Sequence, residues 1–376
     1  MKLDQSQSAA VESALQNRDC IINGGAGVGK TTIIKEIADA LPRAEIMAST
    51  GKAAARLKEA TGHDACTIHR ALLWDSVKMN RTADFRCPVI IDESSMIDAW
   101  LMANLLRFNP APLILVGDAA QLPPVGKGQP FHDLINLRPD RVTTLTTCYR
   151  AQGAVHKAAT AIRHGRAPER VDVSGGETWR MIETGEPGPT FQKLAGWIRD
   201  GHLDPATDII LAPMYGTGEA EDGGIKAVNA MVKGILNPSV EPFAPGDRVI
   251  INKNFGPDDL WNGDLGTISE IDSRGFPYVN LDRGTETRLL NKKQRAEMSL
   301  AYCLSVHKAQ GSQMRRVFFV CFKRHWHMLS RSLIYTAITR AREGVCVMGS
   351  LAAFFHGIQN VEAKRTVLQE LGKGGV

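Results

Sequence analysis

Apolar residues along the 376-residue chain follow two rhythms. In the first half, short β-branched runs give way to stretches with helical spacing. "DCIIN" (19–23) predicts a buried strand, and "TTIIKEIADAL" (31–41) puts Ile33, Ile34, Ile37, Ala38 and Leu41 on one helical face. "AEIMA" (44–48) leads into an alanine-rich helix, while "VII" (89–91) and "LILV" (113–116) are apolar strands that end in polar residues. In the second half, "ATDIILAP" (206–213) reads as a strand and "GIKAVNAMVKGIL" (224–236) as an amphipathic helix. That helix should stop before Pro238, which cannot continue it and disfavours a helical Asn237. Residues 244–290 differ in texture. "APGDRVIINKNFG", "DLWNGDLGTISEID", "FPYVNLD" and "TETRLL" are short runs broken by turn signals, among them the pair Asn262 and Gly263. Four or five strands there suggest a small SH3-like β-barrel inserted into an α/β chain. The stretch "WDSVKMNRTADFRC" (74–87), in which polar Asn80, Arg81 and Thr82 lie between flanks carrying Val77 and Phe85, reads as a small β-hairpin.

Between the first strand and its helix lies "GGAGVGKT" (24–31), with Gly24, Gly29, Lys30 and Thr31 in the spacing G-x-x-x-x-G-K-[ST]. Glycines at a strand-to-helix turn let the backbone approach a ligand and adopt positive φ. The exposed N–H groups and the helix N-terminus then cradle phosphate. Lys30 would reach the β- and γ-phosphates, and Thr31 would hold Mg²⁺. The stretch therefore makes room for a nucleoside triphosphate. Asp92 and Glu93 end the "VII" strand, where ligands bind in parallel sheets. One carboxylate can hold Mg²⁺ while its neighbour activates water. Asp118 and Gln121 follow the next strand. Gln121 either senses a γ-phosphate or faces water as a loop amide, and Pro123 and Pro124 stiffen what comes after it.

Composition narrows the class. The net charge of +5 is compatible with a polyanionic partner without establishing one. Seven scattered cysteines, none in C-x-x-C spacing, read as reduced thiols of a cytosolic protein. The start "MKLDQSQSAA" has no apolar signal core, and runs such as "VFFVCF" (317–322) are too short to span a bilayer, so membrane anchoring is not expected. No further acidic cluster suggests a nuclease.

In order along the chain, these segments resemble the motifs of a superfamily 1 DNA helicase of the RecD-like and Dda-like group, the 5′-to-3′ branch. The likeness runs from Leu3 to about Gly349. "LDQSQSAAV" (3–11) is similar to the opening motif, "GGAGVGKTT" to motif I and "ASTGKAAARL" (48–57) to motif Ia, with "TIHRALL" (67–73) after it. "IIDESSMID" resembles motif II, "LVGDAAQLPPVGKGQ" motif III and "LTTCYRA" (145–151) motif IV. "LAYCLSVHKAQGSQMRRVFFV" (300–320) resembles motif V, and "LIYTAITRAREGVCVMG" (333–349) motif VI. Nine blocks in the right order are specific where no single one is.

The resemblance implies two tandem RecA-like P-loop domains, over residues 1–149 and over 150–243 plus 291–376, with 244–290 as the barrel that guides DNA. It implies ATP and Mg²⁺ at Gly24, Gly25, Gly27, Gly29, Lys30, Thr31, Thr32 and Asp92, with Gln7 on the adenine edge and Gln310 and Gly311 nearby. Glu93 would activate water and Gln121 would sense the γ-phosphate, with Arg150 and Arg340 as fingers. Without the motif series both arginines read as surface residues. Thr50, Lys52, His69 and His307 would grip single-stranded DNA. Trp74 and Phe85 would lie on the hairpin, which in related enzymes separates strands; here it is brief. The expected partners are single-stranded DNA, single/double-strand junctions and single-stranded-DNA-binding or replication proteins. The expected setting is the cytoplasm of a prokaryotic or phage-infected cell, and a monomer suffices. RNA as substrate, a translocase that barely unwinds and a nucleotide-gated binding or loading module remain alternatives. The pathway (replication, recombination or repair) stays open.

Overall fold

The computed structural model describes residues 3–16, 18–73, 80–149, 153–255, 258, 260–283, 287–362, 364 and 366. The chain divides into two compact units, residues 1–152 with 362–376, and residues 153–361.

The first unit comprises α1 (Gln5–Leu15), β1 (Cys20–Gly24), α2 (Lys30–Ala40), β2 (Glu45–Ala48), α3 (Gly51–Thr61), β3 (Ala65–Thr67), α4 (Ile68–Ala71), β4 (Val89–Asp92), α5 (Ala99–Leu106), β5 (Leu113–Gly117), α6 (Pro130–Leu137) and β6 (Val142–Leu145). Among the described residues its strands form one parallel sheet in the order β3-β2-β4-β5-β1-β6. Alternate residues serve opposite faces, as the two-residue period of a strand requires. Ile22, Ile46, Ile90 and Ile114 pack with Ile33, Ile34 and Ile37 of α2 and Leu57 of α3. Ile21, Met47, Ile91 and Leu115 pack with Ile68, Leu101 and Phe131 on the other face. Burial on both faces explains why these strands read as continuous apolar runs.

The second unit comprises α7 (Ala154–Arg163), β7 (Val171–Ser174), β8 (Glu177–Glu183), α8 (Pro187–Arg199), β9 (Ile209–Ala212), α9 (Ile225–Leu236), β10 (Arg248–Ile251), β11 (Leu265–Ile271), β12 (Pro277–Leu281), β13 (Thr287–Leu289), α10 (Lys292–Ala296), β14 (Met298–Leu300), β15 (Cys303–Ser305), β16 (Met314–Cys321), α11 (Arg331–Ile338), β17 (Ala341–Gly349) and α12 (Leu351–Gln359). One sheet has the order β15-β9-β16-β17-β8-β7, parallel except for the β7–β8 pair. The other is antiparallel, in the order β13-β12-β11-β10-β14, over a core that includes Val249, Ile268, Val279 and Leu290. Helix α9 is tied to the strands by satisfied polar groups. Asn229 donates to Cys303 O at 2.9 Å and accepts from the Tyr302 and Cys303 N–H groups. The buried Asp247 carboxylate takes the Lys233 ammonium at 2.5 Å and the Tyr302 hydroxyl at 2.9 Å.

Several expectations need adjusting. The antiparallel segment takes its last strand from Met298–Leu300, beyond the expected limit at 290, and its described ladders form an open sheet rather than a closed barrel. Asn262 and Gly263 do form the centre of a tight turn, closed by the Asp264 N–H donating to Trp261 O at 3.0 Å with Gly263 at φ 96°, but it lies at the end of the long β10–β11 connection, and a second tight turn at Asp272–Phe276 joins β11 to β12. Residues 80–87 contain no strand, and the rest of the expected hairpin, 74–79, lies outside the described residues. Residues 362–376 group with the first unit, not the second.

His325 is fully buried in the second unit, accepting from the Phe322 N–H at Nδ1 (3.4 Å) and contacting Asp222 O through Nε2 (3.1 Å). Burial holds its pKa below the usual imidazole range, with Arg324 and His327 acting the same way and Asp222 opposing. An unfolded histidine takes up a proton near pH ~6.5, whereas the native one resists. The unfolded state thus binds more protons on the acid side, and stability falls as pH drops below that value. His325→Gln should flatten this slope by up to about 1.4 kcal/mol per pH unit. Denaturant titrations of both proteins between pH 7 and 5 check this; parallel slopes would refute it.

Candidate functional site

The loop between β1 and α2 turns on two glycines in the left-handed region, Gly27 (φ 80°) and Gly29 (φ 82°). Side chains are excluded there on steric grounds too. A Cβ on Gly29 would lie 2.5 Å from the Gln7 side-chain nitrogen, and one on Gly24 would lie 2.7 Å from Val28. The Lys30 ammonium donates to the carbonyls of Gly24 (2.8 Å) and Gly25 (2.9 Å). Thr31 and Thr32 stand in the first turn of α2, half-buried.

The loop is clasped from outside. Gln7 caps α1 together with Asp4 and donates through Nε2 to Val28 O at 3.2 Å. From the far end of the unit, the Tyr149 N–H donates to Gly27 O at 2.9 Å, and its hydroxyl donates to Asp4 at 2.6 Å. That bond, more than any other, holds the Asp4 carboxyl well below the usual carboxylate range. Sequence reasoning gave no role to Asp4 and Tyr149, although both lie inside motif stretches, Asp4 in "LDQSQSAAV" and Tyr149 in "LTTCYRA"; their membership of those stretches was the available signal.

Asp92 ends β4, and Glu93 follows in a left-handed conformation (φ 51°) that is uncommon for a non-glycine residue. Such strain concentrates at functional sites. Asp92 Oδ1 and Glu93 Oε2 are both enclosed without a protein hydrogen-bond partner. Burial pushes the Asp92 pKa up to about 6; the Glu93 charge adds to the rise and the Lys30 ammonium opposes it. Two hard oxygens in want of a partner suit Mg²⁺, which takes few protein ligands and keeps its waters. Gln121 is buried beyond β5, where its N–H bonds Asp118 O. Asn23 of β1 accepts from the Ala119 N–H at 3.1 Å, joining the two strand ends. The chain end steadies the next loop: Lys364 donates to the carbonyls of Pro124 and Gly126, and Thr366 to the buried Asp133 at 2.7 Å.

Among the expected strand-contact residues, Thr50 caps α3 by accepting from the Ala53 N–H, Lys52 lies in its first turn, and His69 sits half-buried in α4 with its pKa lowered mainly by burial. Phe85 requires a correction. It is only 5 % exposed, packed in the core with the Arg81 guanidinium 3.6 Å above its ring, so it presents no face to a strand. Trp74 and Arg150 lie outside the described residues. In the second unit, His307 is exposed just after β15, and Gln310 has a buried side-chain nitrogen without a partner beside Gly311 (φ 73°). Arg340 is buried; its guanidinium donates to Thr336 O, Ser312 O and the Thr339 hydroxyl.

Gly29→Ala should be harmful even though it adds one carbon. It forces a positive φ, costing about 1–3 kcal/mol, and drives Gln7 off the loop. The expected result is a lower melting temperature and at least tenfold weaker ATP binding by calorimetry; wild-type affinity would contradict the geometry.

Residues 2–179 match the family model described as AAA domain, and residues 300–348 match the UvrD-like helicase C-terminal domain. The chain is 32% identical over 387 residues to an ATP-dependent RecD2 DNA helicase of Deinococcus radiodurans, an alignment covering 98% of this chain and 52% of the relative. It thus spans about half the length of that protein. It is 29% identical to the RecBCD enzyme subunit RecD of Mycobacterium tuberculosis, over 92% of this chain and 69% of that one. The fold is shared with the Pif1 helicase of Candida albicans (TM-score 0.59, 18% identity, covering 99% of this chain and 98% of that one). It is shared also with a Bacteroides Pif1 bound to single-stranded DNA (TM-score 0.57, 17% identity, covering 96% and 95%). It shares with these Pif1 proteins an α/β architecture of parallel sheets, and by its matches to RecD2 and RecD along nearly its whole length the chain belongs with the RecD-like superfamily 1 helicases.

Proposed function

We propose that this chain is an ATP-driven motor on single-stranded DNA, moving 5′ to 3′ and separating duplex ahead of it. The observation that carries this reading is the pair of enclosed, unpartnered carboxylate oxygens on Asp92 and Glu93, facing a glycine loop whose lysine is already gathered over it. Lys30 and the loop N–H groups would bind the phosphates, Gln7 would lie by the adenine, and Glu93 would orient and deprotonate the attacking water. Thr31 and Asp92 would hold Mg²⁺, which neutralises charge on the phosphates when bound. Asp92 must be ionised for this, and a bound cation would favour that charged form. Gln121 reports on the γ-phosphate, while Arg150 and Arg340 stabilise charge in the transition state. Thr50, Lys52, His69 and His307 hold the strand, mostly through backbone phosphates. The open antiparallel sheet formed by β10 to β14 guides the strand.

One observation favours a second reading. Because Phe85 is committed to the core, the short insertion lacks that ring as a wedge, which fits a translocase that unwinds weakly.

The test is ATP-driven opening of a short duplex carrying a 5′ tail, beside the same duplex with a 3′ tail. Opening from the 5′ tail alone is expected; opening only from the 3′ tail would reverse the polarity. Strand-stimulated ATPase with neither duplex opened would select the translocase. Lys30→Ala should lower turnover at least about a hundredfold with an unchanged melting curve, and retained ATPase would refute the nucleotide site.

A further inference from the structure

A cleft of about 690 Å³ opens in the second unit, between α9 and the strands β14 and β15. That volume is typical of small-molecule sites, which run about 300–1,000 Å³, and it is more than one planar base needs. The walls are largely apolar, with Phe243, Met298, Leu300 and Leu304 among them. Among the described residues, its charged lining is Lys226, Lys233 and Lys308. Lys233 is matched by Asp247, but the partners of the Lys308 ammonium are neutral, the Tyr215 hydroxyl at 2.9 Å and Asn252 Oδ1 at 2.8 Å. Tyr215 is 46% exposed and Lys226 is exposed. An apolar slot with cationic lining and a half-exposed aromatic ring matches a nucleotide unit: a flat base and an anionic phosphate.

Two further features bear on the occupant. Ser305 and Lys308 line the cleft and flank the exposed His307, so the cleft continues directly from a residue already assigned to the strand. On the α9 side the lining residues Ala230 and Gly234 lie one turn apart. A glycine inside a helix costs about 1 kcal/mol relative to alanine. Here no close packing demands it, since a Cβ on Gly234 would meet nothing within 4 Å. What its bare backbone provides is room in the cleft.

We propose that this cleft receives one unstacked base of the bound single strand, with Tyr215 against the ring and Lys308 and Lys226 at the flanking phosphates. The assignment rests on the single-strand reading above and adds a base-holding pocket to it. Such a pocket makes part of the affinity depend on the presence of a base, not on phosphate charge alone.

The test compares binding of a short oligothymidine with binding of an equally long oligomer of abasic sites, on the full chain, for wild type and Gly234→Leu. The leucine projects into open space and improves helix propensity, so the variant should fold. In the wild type the ratio of the two affinities should favour the base-bearing strand, and Gly234→Leu should shrink that ratio about tenfold while affinity for the abasic oligomer stays within twofold. Tyr215→Ala should shrink it in the same direction, and 5-iododeoxyuridine in the strand should crosslink at Tyr215 in the wild type. ATPase without strand should be unchanged in Gly234→Leu. An unchanged ratio in a folded Gly234→Leu variant would overturn the pocket and leave the cleft to some other apolar occupant, with the motor reading intact. Failure of the wild type to bind either oligomer would instead sink the single-strand reading, and the pocket with it.

Discussion

A loop that must meet phosphate with bare backbone cannot carry the side chains that would hold its own shape. Everything at the nucleotide end of the first unit follows from that conflict. The glycines of 24–29 leave the loop without internal packing, so its carbonyls are held from elsewhere: Val28 by Gln7, Gly27 by the Tyr149 N–H, Gly24 and Gly25 by the Lys30 ammonium. Those holders come from α1, from beyond β6 and from α2, and the Tyr149–Asp4 bond closes the ring around them. With its carbonyls turned outward to these partners, the loop leaves its N–H groups for a ligand, and so the shape of an anion site is built largely by groups outside it, among which Gln7 and Tyr149 hold carbonyls from other elements.

The same end of the sheet stores its cost in one place. Buried carboxylate oxygens without donors are expensive, and so is a left-handed glutamate. Asp92 and Glu93 combine both, at the carboxyl end of a strand that is otherwise fully buried. The Ser49 hydroxyl holds the Glu93 carbonyl at 3.0 Å, and Asn23 ties the neighbouring loop after β5 to the glycine strand. Surroundings of this kind allow an unfavourable arrangement to persist, and in the proposed site a cation and phosphate would relieve it.

Much of this was legible in the sequence because it is periodic or local. Strands buried on both faces write themselves as apolar runs, which is why β1, β4 and β5 could be read. Helix α9 could be read from its spacing and from Pro238, and it ends at Leu236 as the proline demands. What could not be read depends on contacts between distant residues. Phe85 looked like an available aromatic because its polar neighbours hid the core it enters, alongside Leu101 and Phe131. The strand at Met298–Leu300 is too short to carry a pattern and is defined only by its pairing with β10. Lys364 and Thr366 carry no motif, yet they fasten the loop after Gln121.

The two units differ in how they treat charge. In the first, the acidic groups of the site are left short of donors. In the second, the buried acids Asp247 and Asp208 are each engaged several times over, and among the described residues the buried side-chain atoms left without a partner are the nitrogens Gln310 Nε2 and Arg248 Nε. Asp247 takes donors from Lys233, Asn237, Ala244 and Tyr302, and Asp208 binds two arginines at 2.9 and 2.6 Å. A satisfied network of this sort resists rearrangement, because removing one partner strands the others. Arg340, anchored through Thr336, Ser312 and Thr339, is therefore a cation whose position is set within its own unit. The proposed motor needs one part that changes when its ligand binds and another that does not. The unmet oxygens of Asp92 and Glu93 fit the first unit for the former role, and the saturated polar links around α9, Asp208 and Arg340 fit the second for the latter.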